Sequence, residues 1–245
     1  MNRSRISTSL VMAICFALTA CGGRDLDQLL HDHAAALGGA EKLESVRTMR
    51  VDLHLSEPGL DADILYHAAR PGKARVDLTM NGEVVFTEAF DGTGSWQKSH
   101  GAPAHDSSPD GTAALRRGAI GNLFALHELK ALGYTLELLD PTLIDGTSYH
   151  TVQITAPDGH TNRSYLEPET LLLTRRRDVH SVHPDIDSTK LTIESVYSDF
   201  RSIDGILRPF RSVERNIQTN EVLATVEIRA IATNIDLDSS LFIKP

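Results

Sequence analysis

The sequence predicts a mainly β protein of the α+β class, in which a curved antiparallel sheet of about eleven strands forms an unclosed half-barrel with helices covering its concave face. Three observations carry this prediction. Short runs of alternating polar and apolar residues recur along the chain, turn signals separate these runs, and two segments have helical spacing instead. Because composition does not change along the 245 residues, we expect residues 21–245 to form a single domain.

The first twenty residues have the pattern of a leader peptide for export. Arg3 and Arg5 precede an apolar run at residues 10–18, which is too short to span a membrane. Residues 18–21, Leu-Thr-Ala-Cys, resemble the lipobox of bacterial lipoproteins, in which the cysteine thiol receives diacylglycerol and the chain is cut just before it. We therefore predict a lipoprotein signal peptide at residues 1–20 and acylation of Cys21, with fatty acids such as palmitate. The alternative is an ordinary leader cut nearby.

The predicted lipid anchor sets the expected location. Two or more acyl chains hold a protein on a membrane essentially permanently, at about 0.8 kcal/mol per buried methylene. Gly22 stands where the inner-membrane retention signal of enterobacterial lipoproteins has Asp, so the resemblance implies the bacterial outer membrane, with the folded part facing the periplasm. Removing Arg3 and Arg5 leaves 22 basic against 33 acidic residues, a charge of -11, which argues against nucleic acid as a partner.

The first half of the mature chain begins with helical spacing and continues with strands. Apolar residues recur every three or four positions from Leu26 to Leu37, and Gly38-Gly39 ends this helix. A short helical turn is expected at residues 40–43. The period then changes to two, and Asn81-Gly82 is the strongest hairpin signal. The expected strands lie at residues 49–55, 62–69, 73–80, 84–90 and around Trp96.

The second half repeats the pattern after an interruption. Ser, Pro, Gly, Asp and His dominate residues 99–112, which predicts an exposed loop. Residues 113–131 have helical spacing and end at Gly133. Strands follow at residues 134–139, 149–156, 161–166, 170–179, 190–200, 207–215 and 221–232. Since strands with one apolar face need a cover, we expect the two helical segments to supply it.

Five groups of short segments, mostly turns, share their order and spacing with one known family. They are Ala36-Leu37-Gly38-Gly39-Ala40-Glu41-Lys42-Leu43 with Arg47-Thr48-Met49, Phe90-Asp91-Gly92-Thr93-Gly94-Ser95-Trp96, Leu132-Gly133-Tyr134 with Ile144-Asp145-Gly146, Tyr165-Leu166-Glu167-Pro168-Glu169-Thr170, and Asp204-Gly205-Ile206-Leu207-Arg208-Pro209-Phe210. In these segments the chain resembles the outer-membrane lipoprotein-sorting (LolA/LolB-like) superfamily. The resemblance implies an unclosed β-barrel with helices over its mouth and an apolar cavity that receives lipoprotein acyl chains. With Cys21 lipidated, the chain is similar in topology to the acceptor LolB.

The leading functional hypothesis is reversible binding of an acyl chain or another apolar ligand, in lipoprotein or lipid trafficking. The protein is then not an enzyme, uses no cofactor and acts as a monomer held to the membrane by its anchor. Strand alternation and the middle helix suggest the residues that line the cavity, although a register slip reverses the faces of any strand. These candidates are Val51, Leu53, Val76, Leu78, Phe86, Leu123, Phe124, Leu136, Ile154, Val226 and Ile228.

Two alternatives remain open. The first is an envelope protein-interaction module, in which Leu123 and Phe124 plug the cavity and the outer surface binds a protein partner. The second is a metal-dependent hydrolase that uses a cluster of His and Asp residues at short spacing. The cluster consists of His180, His183, Asp185 and Asp187. It lies in a proline-containing loop with no helix to fix the ligands, and the sequence has no Gly-x-Ser-x-Gly or His-Glu-x-x-His motif, so we predict neither a metal site nor catalytic residues.

Overall fold

The computed structural model describes residues 24–245, so the leader, Cys21 and Gly22 lie outside the described range and their processing stays a prediction. The helices are α1 (Leu26–Leu37), α2 (Ala40–Ser45) and α3 (Pro109–Leu123), with 3-10 helices at Leu126–Leu132 and Ser239–Phe242. Over residues 24–245, no helix is long and apolar enough to cross a membrane.

Thirteen strands make up most of the structure. They are β1 (Thr48–Glu57), β2 (Leu60–Ala69), β3 (Lys73–Met80), β4 (Glu83–Phe90), β5 (Ser95–Ser99), β6 (His105–Asp106), β7 (Thr135–Ile144), β8 (Thr147–Thr155), β9 (Thr161–Leu166), β10 (Leu173–His180), β11 (Leu191–Ile203), β12 (Ile206–Asn216) and β13 (Val222–Thr233). All of them belong to one sheet, and every pair of neighbours is antiparallel.

The sheet consists of two meanders that meet in the middle. Strands β1 to β6 follow one another outward to one edge, and β13 back to β7 follow one another to the other edge. The first strand, β1, pairs with the last strand, β13, and joins the meanders. The edge strands β6 and β7 do not pair with each other, so the sheet stays open. The predicted unclosed antiparallel half-barrel with helices on its concave face is therefore confirmed.

The hairpin turns explain how a sheet of this size keeps its register. Asn81 and Gly82 have φ angles of 52° and 81°, and the Asp-Gly pairs at 145–146 and 204–205 adopt the same left-handed pair of conformations. Such two-residue turns match the twist of the flanking strands. Their sequence signal is strong, and all three turns lie where the sequence predicts them.

The chain differs from the prediction between residues 99 and 131. The two-residue strand β6 lies in the segment that we expected to be a loop, and with it the sheet has thirteen strands instead of about eleven. Helix α3 also begins earlier than expected. Ser108 caps it, because its Oγ accepts a hydrogen bond from the backbone N–H of Gly111 at 3.0 Å, and Pro109 fits the first turn.

The predicted single helix at residues 113–131 is two helices. Helix α3 ends at Leu123, and the 3-10 helix follows after a two-residue break. At that break the Glu128 carboxylate accepts a hydrogen bond from the backbone N–H of Ala125 at 2.9 Å, which stabilises the new helix start. The break allows the two helices to cover different parts of the sheet.

The concave face has a solid half and a hollow half. Over β7 to β9, helix α1 and the 3-10 helix pack directly on the sheet in one apolar cluster. Its buried members are Leu29, Leu30, Ile120, Leu126, Leu129, Leu136, Val152, Ile154 and Leu166. Over the other half, α3 lies across β2 to β5 and leaves a space beneath it.

Candidate functional site

An apolar cavity of about 880 Å3 lies between α3 and the concave face of the sheet. This volume is within the range of about 300–1,000 Å3 that is common for small-molecule sites. The apolar wall comes mainly from β1 to β4 and β13. Its apolar residues include Met49, Val51, Leu53, Leu55, Ile64, Val76, Leu78, Met80, Val85, Phe86, Val226, Ile228 and Ile231.

The cavity exists because α3 presents mainly small residues to the large apolar residues of the strands. The residues of α3 that line the cavity are Gly111, Ala114, Leu115, Gly118, Ala119 and Asn122. They recur every three or four positions, so they lie on one face of the helix. A β-carbon built on Gly118 meets no atom within 4 Å, so there is open space beside this residue.

The β10–β11 loop (residues 181–190) crosses the cavity at the start of α3. Val182, Pro184 and Ile186 of this loop line the cavity. His183 contacts the end of β1, where its Nε2 lies 3.0 Å from Oε2 of Glu57. The loop therefore bridges strands of the two meanders.

A second anchor of the loop is Asp185. Its Oδ2 accepts a hydrogen bond from Nε2 of Gln97 at 2.9 Å, and its Oδ1 accepts one from the backbone N–H of Ser108 at 3.0 Å. A β-carbon on Gly111 would overlap the same carboxylate. The glycine in the first turn of α3 thus lets the helix and the loop approach closely.

The end of the cavity near the loop is acidic. Glu88 lines it, and burial raises the pKa of this carboxyl to about 7, against the opposing influence of His183. The hydrogen bond to Glu57 raises the pKa of His183 above its ordinary value, although burial opposes this shift. Glu88 therefore titrates near neutral pH.

Seven of the residues suggested by strand alternation line the cavity. They are Val51, Leu53, Val76, Leu78, Phe86, Val226 and Ile228. They belong to β1, β3, β4 and β13, where the alternation of apolar residues and the concave face coincide.

Four other candidates do not line the cavity. Leu136 and Ile154 face the concave side but belong to the solid half, because Leu29 and Leu30 of α1 fill the space above them. Leu123 and Phe124 pack in a cluster with Met49, Val51 and Leu53, which line the cavity, so they lie at its border and are not themselves lining residues. A space of about 880 Å3 remains beside them, whereas the filled-core alternative expects them to plug it.

Sequence reasoning missed the cavity-lining face of α3 and the β10–β11 loop. The helix carried a usable signal, since Gly111, Ala114, Gly118 and Ala119 have helical spacing and leave room on one face. The loop carried none. Its contact between His183 and Glu57 joins residues 126 positions apart, and no local pattern predicts such a contact.

The suggested metal cluster does not form in the described residues. His183 binds Glu57, Asp185 binds Gln97 and Ser108, and Asp187 accepts a hydrogen bond from the backbone N–H of Thr189. Nδ1 of His180 lies 3.7 Å from Oδ2 of Asp178, which belongs to the same strand, β10. Within residues 24–245 no group of three or more His, Cys, Asp or Glu side chains is arranged to hold a metal ion.

Comparisons with known proteins identify the fold through structure. Neither protein-family models nor curated protein sequences match the chain. Among solved structures, a DUF1329 family protein from Desulfovibrio piger is similar, with a TM-score of 0.61 at 13% identity, over 89% of this chain and 98% of that one. A LolA superfamily protein from Nitrosomonas europaea has a TM-score of 0.59 at 15% identity, over 89% and 97% of the two chains.

A third similar structure is an outer membrane lipoprotein-sorting protein domain from Vibrio parahaemolyticus, with a TM-score of 0.58 at 10% identity, over 88% of this chain and 95% of that one. The matches span nearly the whole length of each protein, while identity stays low. They agree with the resemblance inferred from the turn segments. The described part of this chain therefore has the LolA-like fold, an open antiparallel half-barrel with helices on its concave face.

Proposed function

We propose that the protein reversibly binds an acyl chain or another apolar ligand in the cavity under α3. It does so as a lipoprotein anchored through Cys21 to the bacterial outer membrane and facing the periplasm, in lipoprotein or lipid trafficking. The observation that carries the proposal is the cavity of about 880 Å3 with apolar side chains on the strands and small residues on the helix. A folded protein ordinarily fills such a space with its own side chains.

The driving force in this proposal is the transfer of methylene groups out of water. Each buried methylene contributes about 0.8 kcal/mol, before the cost of immobilising the ligand is subtracted. The walls at Val51, Leu53 and Val76 offer the contacts that an alkyl chain needs. The protein acts as a binder and not as an enzyme, so it needs no cofactor.

The solved structures support the proposal at the level of the fold. One of them is described as a LolA superfamily protein and another as an outer membrane lipoprotein-sorting domain. The envelope protein-interaction alternative depends on a cavity filled by side chains, whereas a space of about 880 Å3 supports ligand binding.

A chain-length series tests the binding proposal. The mature chain carrying Cys21→Ser is loaded with the neutral dye N-phenyl-1-naphthylamine, and 1-octanol, 1-decanol and 1-dodecanol are used to displace it. We expect the affinity to increase about fourfold for each added methylene, because each one leaves water for the cavity. The proposal would be contradicted if the dye fluorescence did not increase on addition of the protein, or if the affinities of the alcohols did not depend on chain length.

The anchor is tested separately in cells of a Gram-negative host. The full chain is expressed with an alkyne-bearing palmitate analogue, and the outer membrane is isolated on a density gradient. We expect the label on the wild-type protein and its loss in Cys21→Ala, while Cys15→Ala keeps it because residue 15 is removed with the leader. A labelled Cys21→Ala protein would overturn the assigned anchor.

A further inference from the structure

The cavity contains a cation without a counter-ion. Arg208, near the start of β12, lines the cavity, and its Nη1 makes one long hydrogen bond, of 3.5 Å, to the backbone carbonyl of Asn122. Its Nε is buried without a hydrogen-bond partner among residues 24–245. Burial lowers the pKa of Arg208, and no neighbouring carboxylate opposes this shift.

Two other partly buried arginines of this chain are paired with carboxylates. Arg70 lies 2.6 Å from Glu128, and Arg75 lies 2.8 Å from Asp77. A guanidinium that has lost water without gaining an anion is costly, because burying a charge is unfavourable unless it is paired. The site at Arg208 is therefore incomplete in the protein alone.

A second unsatisfied donor lies close by. The hydroxyl of Tyr66 lines the same cavity and is buried without a hydrogen-bond partner of normal geometry within residues 24–245. The side chain of Asn122 lies beside it, and burial raises the pKa of Tyr66 to about 12, so the phenol keeps its proton. Asn122 thus lies between Tyr66 and Arg208. The Tyr66 side chain offers an O–H donor and the Arg208 side chain offers N–H donors, and neither carries a negative charge.

The acidic groups of the cavity lie at its other end. Asp185 contacts Gly111 in the first turn of α3, whereas Arg208 contacts Asn122 in the last turn. Eleven residues of helix separate these two contacts, which corresponds to about 16 Å at 1.5 Å per residue. The cavity is therefore positive at one end and acidic at the other, with an apolar wall between them.

We propose that Arg208 and Tyr66 bind the carboxylate of a free long-chain fatty acid, whose alkyl tail runs along α3 toward Gly111. This inference rests on the proposed function and names the class of ligand. A carboxylate accepts two parallel hydrogen bonds from a guanidinium, and the Tyr66 hydroxyl can donate a third. The acids at the far end repel an anionic head, so they fix the orientation of the ligand.

Three amphiphiles with the same tail test the head-group assignment. Dodecanoate, 1-dodecanol and dodecylamine are each used to displace N-phenyl-1-naphthylamine from the mature Cys21→Ser chain at pH 8. Each amphiphile is kept below the concentration at which it aggregates. We expect dodecanoate to bind at least tenfold more tightly than 1-dodecanol, since hydrogen bonds to a charged group change affinity by about 10- to 100-fold. Dodecylamine is expected to bind most weakly. Equal binding of acid and alcohol, or a preference for the amine, would overturn the assignment and leave the proposed function intact.

Variants locate the effect. Arg208→Gln should reduce the affinity for dodecanoate at least tenfold and change the affinity for 1-dodecanol by no more than about twofold. Tyr66→Phe should reduce only the affinity for dodecanoate, by about fivefold. Arg201→Gln is the matched control, because it also removes one positive charge, from an exposed arginine that pairs with Asp199. If Arg208→Gln weakens acid and alcohol equally, or if Arg201→Gln has the same effect, Arg208 does not bind the head group.

Folding of the variants provides an independent readout. Arg208 lacks a carboxylate partner, so Arg208→Gln should melt at the same temperature as the parent protein or higher. A lower melting temperature would show that the guanidinium is already satisfied within the protein, and the proposal would fail. If none of the three amphiphiles binds the parent protein, the proposed function fails as well.

Discussion

Nε2 of His183 lies 3.0 Å from Oε2 of Glu57, and this contact fastens the β10–β11 loop to the far end of β1. The imidazole is half exposed and the carboxylate is largely buried. Because the pair joins the two meanders across the cavity, the charge of the imidazole helps to decide whether the loop stays closed.

The loop should loosen as the pH rises above the pKa of His183. The pKa of His183 is raised in the folded protein, mainly by Glu57, with Glu88 and Glu214 adding to the effect. The stabilising charge on His183 is therefore fully present below its ordinary value of 6.5 and is lost as pH rises through the raised value. Ionisation of Glu88 above about pH 7 has opposing effects on the loop, because the new charge attracts protonated His183 and repels Asp185.

Hydrogen exchange of residues 181–190 measures this effect. Relative to the variant His183→Gln at each pH, which corrects for the intrinsic rise of exchange rates, we expect the wild-type loop to be protected more strongly at pH 5.5 than at pH 8.5, because only the protonated imidazole forms an ion pair with Glu57. Amides of β8 around Val152, in the solid core, serve as the internal control. Equal protection at both pH values would show that the pair does not hold the loop.

Arg70 should be the most costly single side chain to remove. At the end of β2 it donates hydrogen bonds to the carbonyls of Val46 at 2.7 Å, Leu43 at 3.2 Å and Leu123 at 3.0 Å, and it pairs with Glu128 at 2.6 Å. It thus connects α2, α3 and the 3-10 helix to the sheet. Arg70→Met leaves the buried Glu128 carboxylate without its charged partner and removes a hydrogen bond from each of three carbonyls, so we expect a loss of about 3–5 kcal/mol in the free energy of unfolding by urea.

A double-mutant cycle separates the ion pair from the rest. Glu128→Leu alone leaves the guanidinium unpaired and should also destabilise, but the double variant with Arg70→Met should lose less than the sum of the two single losses. Arg70→Lys keeps the charge without the planar set of donors and should fall between wild type and Arg70→Met. Strictly additive losses would show that Arg70 and Glu128 act independently.

Local sequence patterns were sufficient for the frame of this protein and for part of the site. The Asn81-Gly82 turn and the Asp-Gly turns set the hairpins, because only a few residue types adopt their left-handed backbone. Alternation along β1 then places Val51 and Leu53 on the concave face. Each of these inferences depends on neighbours in sequence, which is why a single chain can support it.

The division of the concave face into a solid and a hollow half could not be predicted in this way. Leu136 and Ile154 have the same alternation as Val51, and they are excluded from the cavity only because Leu29 of α1 packs above β7 and β8. Which helix covers which strands is decided by contacts between distant segments. The absence of a carboxylate partner for Arg208 within residues 24–245 could not be predicted either. Asp and Glu are frequent in the sequence, and only the folded chain shows that none of them pairs with this arginine.

Filling the cavity from the helix side should abolish binding without harming the fold. Gly118 faces the hollow, and a β-carbon there meets nothing within 4 Å. In Gly118→Leu the new side chain occupies the proposed binding space, and leucine replaces glycine, the weakest helix former apart from proline. We expect the free energy of unfolding to rise by roughly 0.5–1 kcal/mol and the affinity for 1-dodecanol to fall more than tenfold.

The control for this variant lies one turn further along the same helix. Gly121 also has open space around a built β-carbon but does not line the cavity, so Gly121→Leu gains the same helix propensity without entering the hollow. Urea unfolding should show similar stability for both variants, and dye displacement should show wild-type binding for Gly121→Leu only. If Gly118→Leu binds 1-dodecanol as well as Gly121→Leu does, the ligand does not occupy the space under α3.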